Sequence, residues 1–208
     1  HGHAKQGAGF GYSGVRGLNA LLATVSTETV APVIAAQRLR KGSAGSPRGA
    51  ARLASDALAL LRRTHLTGRE VLVRADSACS SHSLVTAVTK AGADGSVTVL
   101  LDPAVKRAIT SIGEKAWTAI KYTDAIYDED TDRWISRAEV AEIPFTAFTS
   151  KKKSDQVPGR LVVRRIPDLN PKKDQGQDTL FDTWRFHAFF TTTPADVRDT
   201  VPADRLHR

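Results

Sequence analysis

Arg69-Glu70-Val71-Leu72-Val73-Arg74-Ala75-Asp76 reads as a strand closed by an acid, and the helix and strand after it decide the fold. Ser77 to Ala91 is helical in its second half through Leu84, Val85, Val88 and Ala91, and Gly92 supplies the stop. Ser96-Val97-Thr98-Val99-Leu100-Leu101 is a second apolar, β-branched run that ends at Asp102-Pro103. Strand, helix and strand in that order predict a parallel pair within an α/β sheet. Upstream, Gly42-Ser43-Ala44-Gly45-Ser46-Pro47 is a break followed by a helix start, with Ser46 suited to cap and Pro47 to the first helical position. Ala50, Leu53, Ala54, Ala57, Leu58 and Leu61 recur at helical spacing, which predicts a helix over residues 47–64. Residues 1–42 read as strands. Val15 to Val25 and Thr29 to Ala36 flank the turn-like Ser26-Thr27-Glu28, so an antiparallel hairpin is expected, with Pro32 near a strand start.

Beyond Pro103 the pattern changes. A short helix through Ile109 is followed by strand-like pieces at Ala116 to Tyr122, Trp134 to Phe145 and Leu161 to Ile166. Charged or turn-rich segments separate them: Tyr127 to Asp132, Lys151 to Lys153 and Pro167 to Lys173. Trp184 to Thr192 is a last strand. The expected division is a core over residues 1–102, an antiparallel β-rich insertion over 103–180, and the last core strand with a truncated helix start over 181–208.

The balance of 30 lysines and arginines against 22 acids gives 208 residues a net charge of +8. An excess of that size favours a polyanionic partner, because neutralised phosphates release counterions. No apolar run approaches bilayer-spanning length and the start carries no leader, so a soluble, cytoplasmic protein without membrane contact is expected. A single cysteine, Cys79, excludes an internal disulfide and fits a reducing compartment. There is no methionine, which makes a piece of a longer reading frame the expected origin.

Three constellations bear on chemistry. Gly9-Phe10-Gly11-Tyr12-Ser13-Gly14 matches G-x-G-x-x-G, but no strand precedes it and no helix follows, so a glycine-rich turn between strands fits better than a dinucleotide site. His1, His3, Cys79 and His82 offer only half of a zinc motif. Asp76 stands out because it closes an apolar strand, and functional groups of open α/β sheets gather at the carboxyl ends of strands. Small neighbours Ser77 and Ala78 leave room for a hard cation such as Mg²⁺. A helix N-cap is the equally weighted alternative for the same aspartate.

Several long strings carry a resemblance. They are Lys5 to Thr24, Gln37-Arg38-Leu39-Arg40-Lys41-Gly42, Arg74-Ala75-Asp76-Ser77-Ala78, Phe145 to Lys153 and Trp184 to Thr192. Together they are similar to DDE-type bacterial insertion-sequence transposases over nearly the whole chain. The resemblance implies a ribonuclease H-like mixed sheet flanked by helices, a β-rich insertion, and three carboxylates holding two Mg²⁺ or Mn²⁺ ions for DNA cleavage and strand transfer. In such a site two cations stabilise the attacking and leaving oxygens of an in-line displacement. Asp76 matches the second acid, as catalytic and metal-binding residue, while the first and third would precede His1 and follow Arg208. The sequence departs from the family at Cys79-Ser80-Ser81, where the family often carries an aromatic residue. The implied partner is duplex DNA, namely element ends and target, handled by a homo-oligomer assembled on that DNA and so associated with the nucleoid. Lys5, Arg38, Arg40, Lys41, Lys151, Lys152, Lys153 and Arg208 are the candidate phosphate contacts. A non-catalytic DNA-binding remnant of a decayed element is the alternative, and a ribonuclease H-like nuclease unconnected with transposition is a third reading.

Overall fold

The computed structural model describes residues 5–27, 29, 31–64, 71–120, 126–129, 133–135, 138–167 and 184–194. It is an α/β structure with a mixed six-stranded sheet, helices and separate antiparallel hairpins. The chain divides into two compact units, His1–Gly95 and Ser96–Arg208. The expected boundary after residue 102 lies a few residues further on, and the one at 180 lies outside the described residues.

The first unit begins with two short strands, β1 (Gly9–Phe10) and β2 (Arg16–Gly17), paired antiparallel with Phe10 opposite Arg16. The G-x-G-x-x-G stretch is therefore a turn between strands, as expected. Next come β3 (Asn19–Val25) and β4 (Val33–Arg40), the predicted antiparallel hairpin, with a register shift between Ala23 and Thr24. Pro32 stands immediately before β4, where its missing donor costs no ladder bond.

Helix α1 (Ala50–Arg63) buries Ala50, Leu53, Ala54, Ala57 and Leu58 of the apolar stripe read from the sequence and leaves its last member, Leu61, half-buried. It packs against β3, β4 and a second helix, α2 (His82–Lys90). Burying each leucine is worth about 1.5–3 kcal/mol relative to exposure. The start of α1 corrects the expectation. Ser46 does not cap and Pro47 is not helical; the cap position is Gly49, in the left-handed region at φ 85° with no side-chain cap bond. The cause is Arg40, whose guanidinium gathers the carbonyls of Gly45, Ser46 and Arg48 and so holds the chain in turns until residue 49. At the other end Arg62 donates to Ala91 O at 2.7 Å, tying the end of α1 to the end of α2.

Strand β5 (Leu72–Ala75) ends one residue before Asp76, and Ser81 caps α2 by accepting from the Leu84 N–H. Strand β6 (Asp94–Thr98) starts two residues earlier than predicted, and it is the neighbour of β5 in the sheet. Its Asp94 N–H donates to Val71 O at 3.0 Å.

The second unit opens with the last three residues of β6, then α3 (Pro103–Thr110), which the sequence anticipated. Asp102 caps it, accepting from Ala104 N–H at 2.8 Å and Val105 N–H at 2.9 Å. The strand expected from Ala116 is instead a 3-10 turn (Glu114–Ala116) leading to the two-residue β7 (Thr118–Ala119). The acidic stretch from Tyr127, expected as a loop, holds a small hairpin of β8 (Ile126–Asp128) and β9 (Arg133–Ile135). Three long antiparallel strands follow: β10 (Glu139–Ala147), β11 (Val157–Pro167) and β12 (Trp184–Thr191). The sheet order is β5-β6-β12-β11-β10-β7. The core of this unit joins Val105, Ile109 and Ile112 from α3 and its end to Leu161, Val163 and Phe186 from the strands. Among the described residues no helix is long and apolar enough to cross a membrane.

Candidate functional site

Asp76 is exposed and comes directly after the last residue of β5. Its Oδ1 accepts the Cys79 N–H at 3.0 Å, while its backbone carbonyl accepts the same donor at 3.2 Å. The carboxylate thus closes the Ser77–Cys79 turn and does not cap α2, whose cap is Ser81. Both weighted roles shift accordingly: the acid is at the carboxyl end of a strand, and its local task is a turn, not a helix start. Cys79 lies against this turn with its thiol pointed at Ser46 O, 3.9 Å away. Burial pushes the Cys79 thiol above its ordinary pKa, and the neighbouring Asp76 charge and hydrogen bond push it further, so it is a poor thiolate. Among the described residues no group of three or more histidines, cysteines, aspartates or glutamates is placed to hold a metal ion. The described residues alone therefore do not fit a two-cation site. His1, His3 and Arg208 lie outside them.

The candidate cations fall into distinct situations. Arg40 is half-buried and committed: besides its three carbonyls it donates to Asn19 Oδ1. Its charge organises the loop before α1 and is not presented to a ligand. Arg38 stands 3.7 Å from Asp56, which Arg52 also engages at 2.9 Å. Lys5 and Lys41 are exposed. They share a loop cluster, because the Gly42 N–H donates to Gly7 O at 2.9 Å and the Ala8 N–H to Lys5 O at 3.0 Å. Gly42 is buried where a Cβ would overlap the backbone of Gly9 and Gly17, so only glycine passes there. Lys151, Lys152 and Lys153 are exposed in the turn between β10 and β11. That turn contains Phe148 at φ 62° and is braced by Gln156, whose amide donates to Thr149 O and Lys151 O at 3.2 and 3.1 Å.

Two arrangements escaped the sequence reading. Arg165, only 4% exposed, lies between the rings of Trp117 and Trp184, its guanidinium carbon 4.2 and 4.3 Å from their centroids. It also donates to both oxygens of Glu114, at 3.0 and 2.7 Å, and to Glu139 at 2.6 Å. The Arg165 hydrogen bond draws the Glu114 carboxyl below its ordinary range. On the opposite face of the same strands, Arg164 stands across from His187, with Arg185 two residues earlier on the same side of β12. Partial burial, then these two charges, lower the His187 pKa. No motif announces either group; their only sequence signal is strand alternation, which places 164 and 165 on opposite faces.

Fold and site define a basic α/β protein with an exposed acid at a strand end and separate lysine-bearing turns. Set against known proteins, the chain matches no family model and no curated relative.

Proposed function

We propose that this chain is a DNA-handling piece of a DDE-type transposase with a ribonuclease H-like core, in which Asp76 supplies one of the required metal-binding acids. The observation that carries the reading is the placement of Asp76: an exposed carboxylate one residue past the end of β5, inside one of the strings that resemble the family. When Mg²⁺ or Mn²⁺ is bound, such a site supplies electrostatic stabilisation of phosphoryl transfer. Asp76 alone is too few ligands, so this chain by itself binds DNA and does not cut it. The exposed Lys5, Lys41 and Lys151 to Lys153 support a duplex-DNA partner, because none is taken up by an ion pair among the described residues.

A second reading, a non-catalytic DNA-binding remnant, is favoured by the engagement of Asp76 Oδ1 in the Cys79 turn. The two separate in the parent protein. Sequencing the flanking frame should reveal an aspartate upstream and a glutamate downstream, and in that longer protein Asp76→Asn should abolish strand transfer while duplex binding persists. Retained strand transfer would remove Asp76 from the chemistry, and a frame without those acids would leave the remnant. For binding itself, replacing Lys151, Lys152 and Lys153 by glutamine should flatten the salt dependence of duplex affinity by about 0.9 in slope for each lost phosphate contact. An unchanged slope would exclude that turn from the interface.

A further inference from the structure

The turn between β1 and β2 carries a feature that neither the acid nor the lysine triplet uses. Tyr12 is fully exposed, at 110%, and Phe10 is 67% exposed. Both sit in a segment where Gly9, Gly11, Gly14 and Gly17 supply no side chain to cover them. Their base is nonetheless fixed. The strands pair Phe10 against Arg16 and Gly9 against Gly17, and the buried Gly42 threads against the backbone of Gly9 and Gly17. Two bare aromatic rings therefore project from a braced backbone.

Their surroundings are cationic. From His1 to Ser55 the only acid is Glu28, among seven lysines and arginines. Arg40 is engaged within the protein, and Arg38 and Arg52 face Asp56. Lys5, Arg16 and Lys41 are exposed and have no side-chain hydrogen bond or ion pair among the described residues. Arg16 is across the strand from Phe10, and Lys41 precedes the glycine threaded under the turn.

We propose that this turn is a stacking platform for single-stranded DNA: Tyr12 and Phe10 stack on unpaired bases while Lys5, Arg16 and Lys41 hold the adjoining phosphates. Exposed aromatics beside unpaired cations suit this ligand because every base offers a π-face, whereas duplex bases already cover one another's faces. Charge selects a polyanion, and the rings select one whose bases are open. An acidic protein surface would satisfy the charges and leave the rings exposed. The proposal rests on the DNA reading above and adds the unpaired strand as a distinct substrate form.

The test is filter binding of the whole chain to a twenty-residue oligo-dT strand and to a hairpin duplex of equal charge. Tyr12→Ala and Phe10→Ala should each weaken strand binding by about fivefold or more, since stacking one base is worth about 1–3 kcal/mol. Duplex binding should hold within about twofold, and Tyr12→Phe should keep strand affinity, because a phenyl ring stacks as well. Circular dichroism melts confirm that each variant is folded, which the exposure of both rings leads one to expect. Equal losses on strand and duplex, or no loss on the strand, would overturn the platform while leaving duplex binding intact. Tighter Tyr12-dependent binding to oligo-U than to oligo-dT would move it to RNA. Uptake of phosphatidylserine vesicles through Tyr12, with no Tyr12-dependent strand affinity, would make it a membrane contact. Failure of the chain to bind either DNA form would sink the DNA reading and the platform together.

Discussion

Removing the Arg165 guanidinium would take the cation from between two indole rings and the donor from Glu139. Breaking one side of a buried charge pair costs about 3–5 kcal/mol, and the lost cation–π contacts act in the same direction. Because Glu114 is 71% exposed, its share is small and the cost should fall at the lower end. Arg165→Met should therefore lower the urea midpoint by an amount corresponding to about 3 kcal/mol. Arg165→Lys should recover only part of it, since an ammonium cannot fork between two carboxylates and stack on both rings. A change below about 1 kcal/mol in Arg165→Met would show that the stack carries little stability. Titration at His187 supplies a second residue-scale prediction. Its folded pKa is lowered by partial burial, then by Arg164 and Arg185, so on acidification the unfolded chain takes the proton first. The associated stability is present above the ordinary value of 6.5 and is lost as pH falls through the lower folded value. Glu114 acts with the same sign in the carboxylate range, below its ordinary 4.5. His187→Gln should flatten the fall in urea midpoint just below pH 6.5, and an unchanged pH profile would remove His187 as its source.

At the scale of elements, α3 is the clearest case of a helix written by its first turn. Asp102 accepts from two backbone donors and Pro103 needs none, so Asp102→Ala should cost about 1 kcal/mol while Asp102→Asn costs a few tenths. Equal effects of the two substitutions on the thermal midpoint would mean that the cap bonds are not what matters there. That helix, the β3–β4 hairpin and the apolar stripe of α1 were legible because each rests on local chemistry: a cap, a turn, a period of 3.6. The start of α1 was not legible, because Arg40, eight residues before Arg48, takes the carbonyls that a Ser46 cap would have released to a helix. Strand β8 was hidden for another reason: three residues are too short to show alternation and the turn after it is acidic, while the run read from Trp134 to Phe145 is divided between the end of β9 and β10. The position of Asp76 at the end of its strand was readable, but its engagement with Cys79 depends on how the chain turns after β5. The Arg165 stack joins residues up to 51 apart in sequence, which no local pattern encodes.

For the whole molecule, the two units each gather their own buried residues: α1 and α2 bury one set, α3 and the long strands another. The expected consequence is that urea unfolds them in separable transitions, not one. Scale also explains why the basic residues do not resolve into a single surface from sequence. Adjacency alone groups Arg40 with Arg38 and Lys41, whereas Arg38 stands beside Asp56, Arg40 is taken up by backbone carbonyls and Asn19, and Lys41 is exposed in the loop after β4.

The Trp117–Arg165–Trp184 stack has an optical consequence. All three tryptophans, including Trp134, belong to the unit that begins at Ser96, and the first unit has none. Indole emission therefore watches one half of the chain only, while far-ultraviolet ellipticity watches both. Following a single urea titration by the two signals should give curves that part company wherever the first unit opens. Coincident curves would mean that the two units melt as one. The protein thus carries a built-in, unit-specific reporter that needs no label.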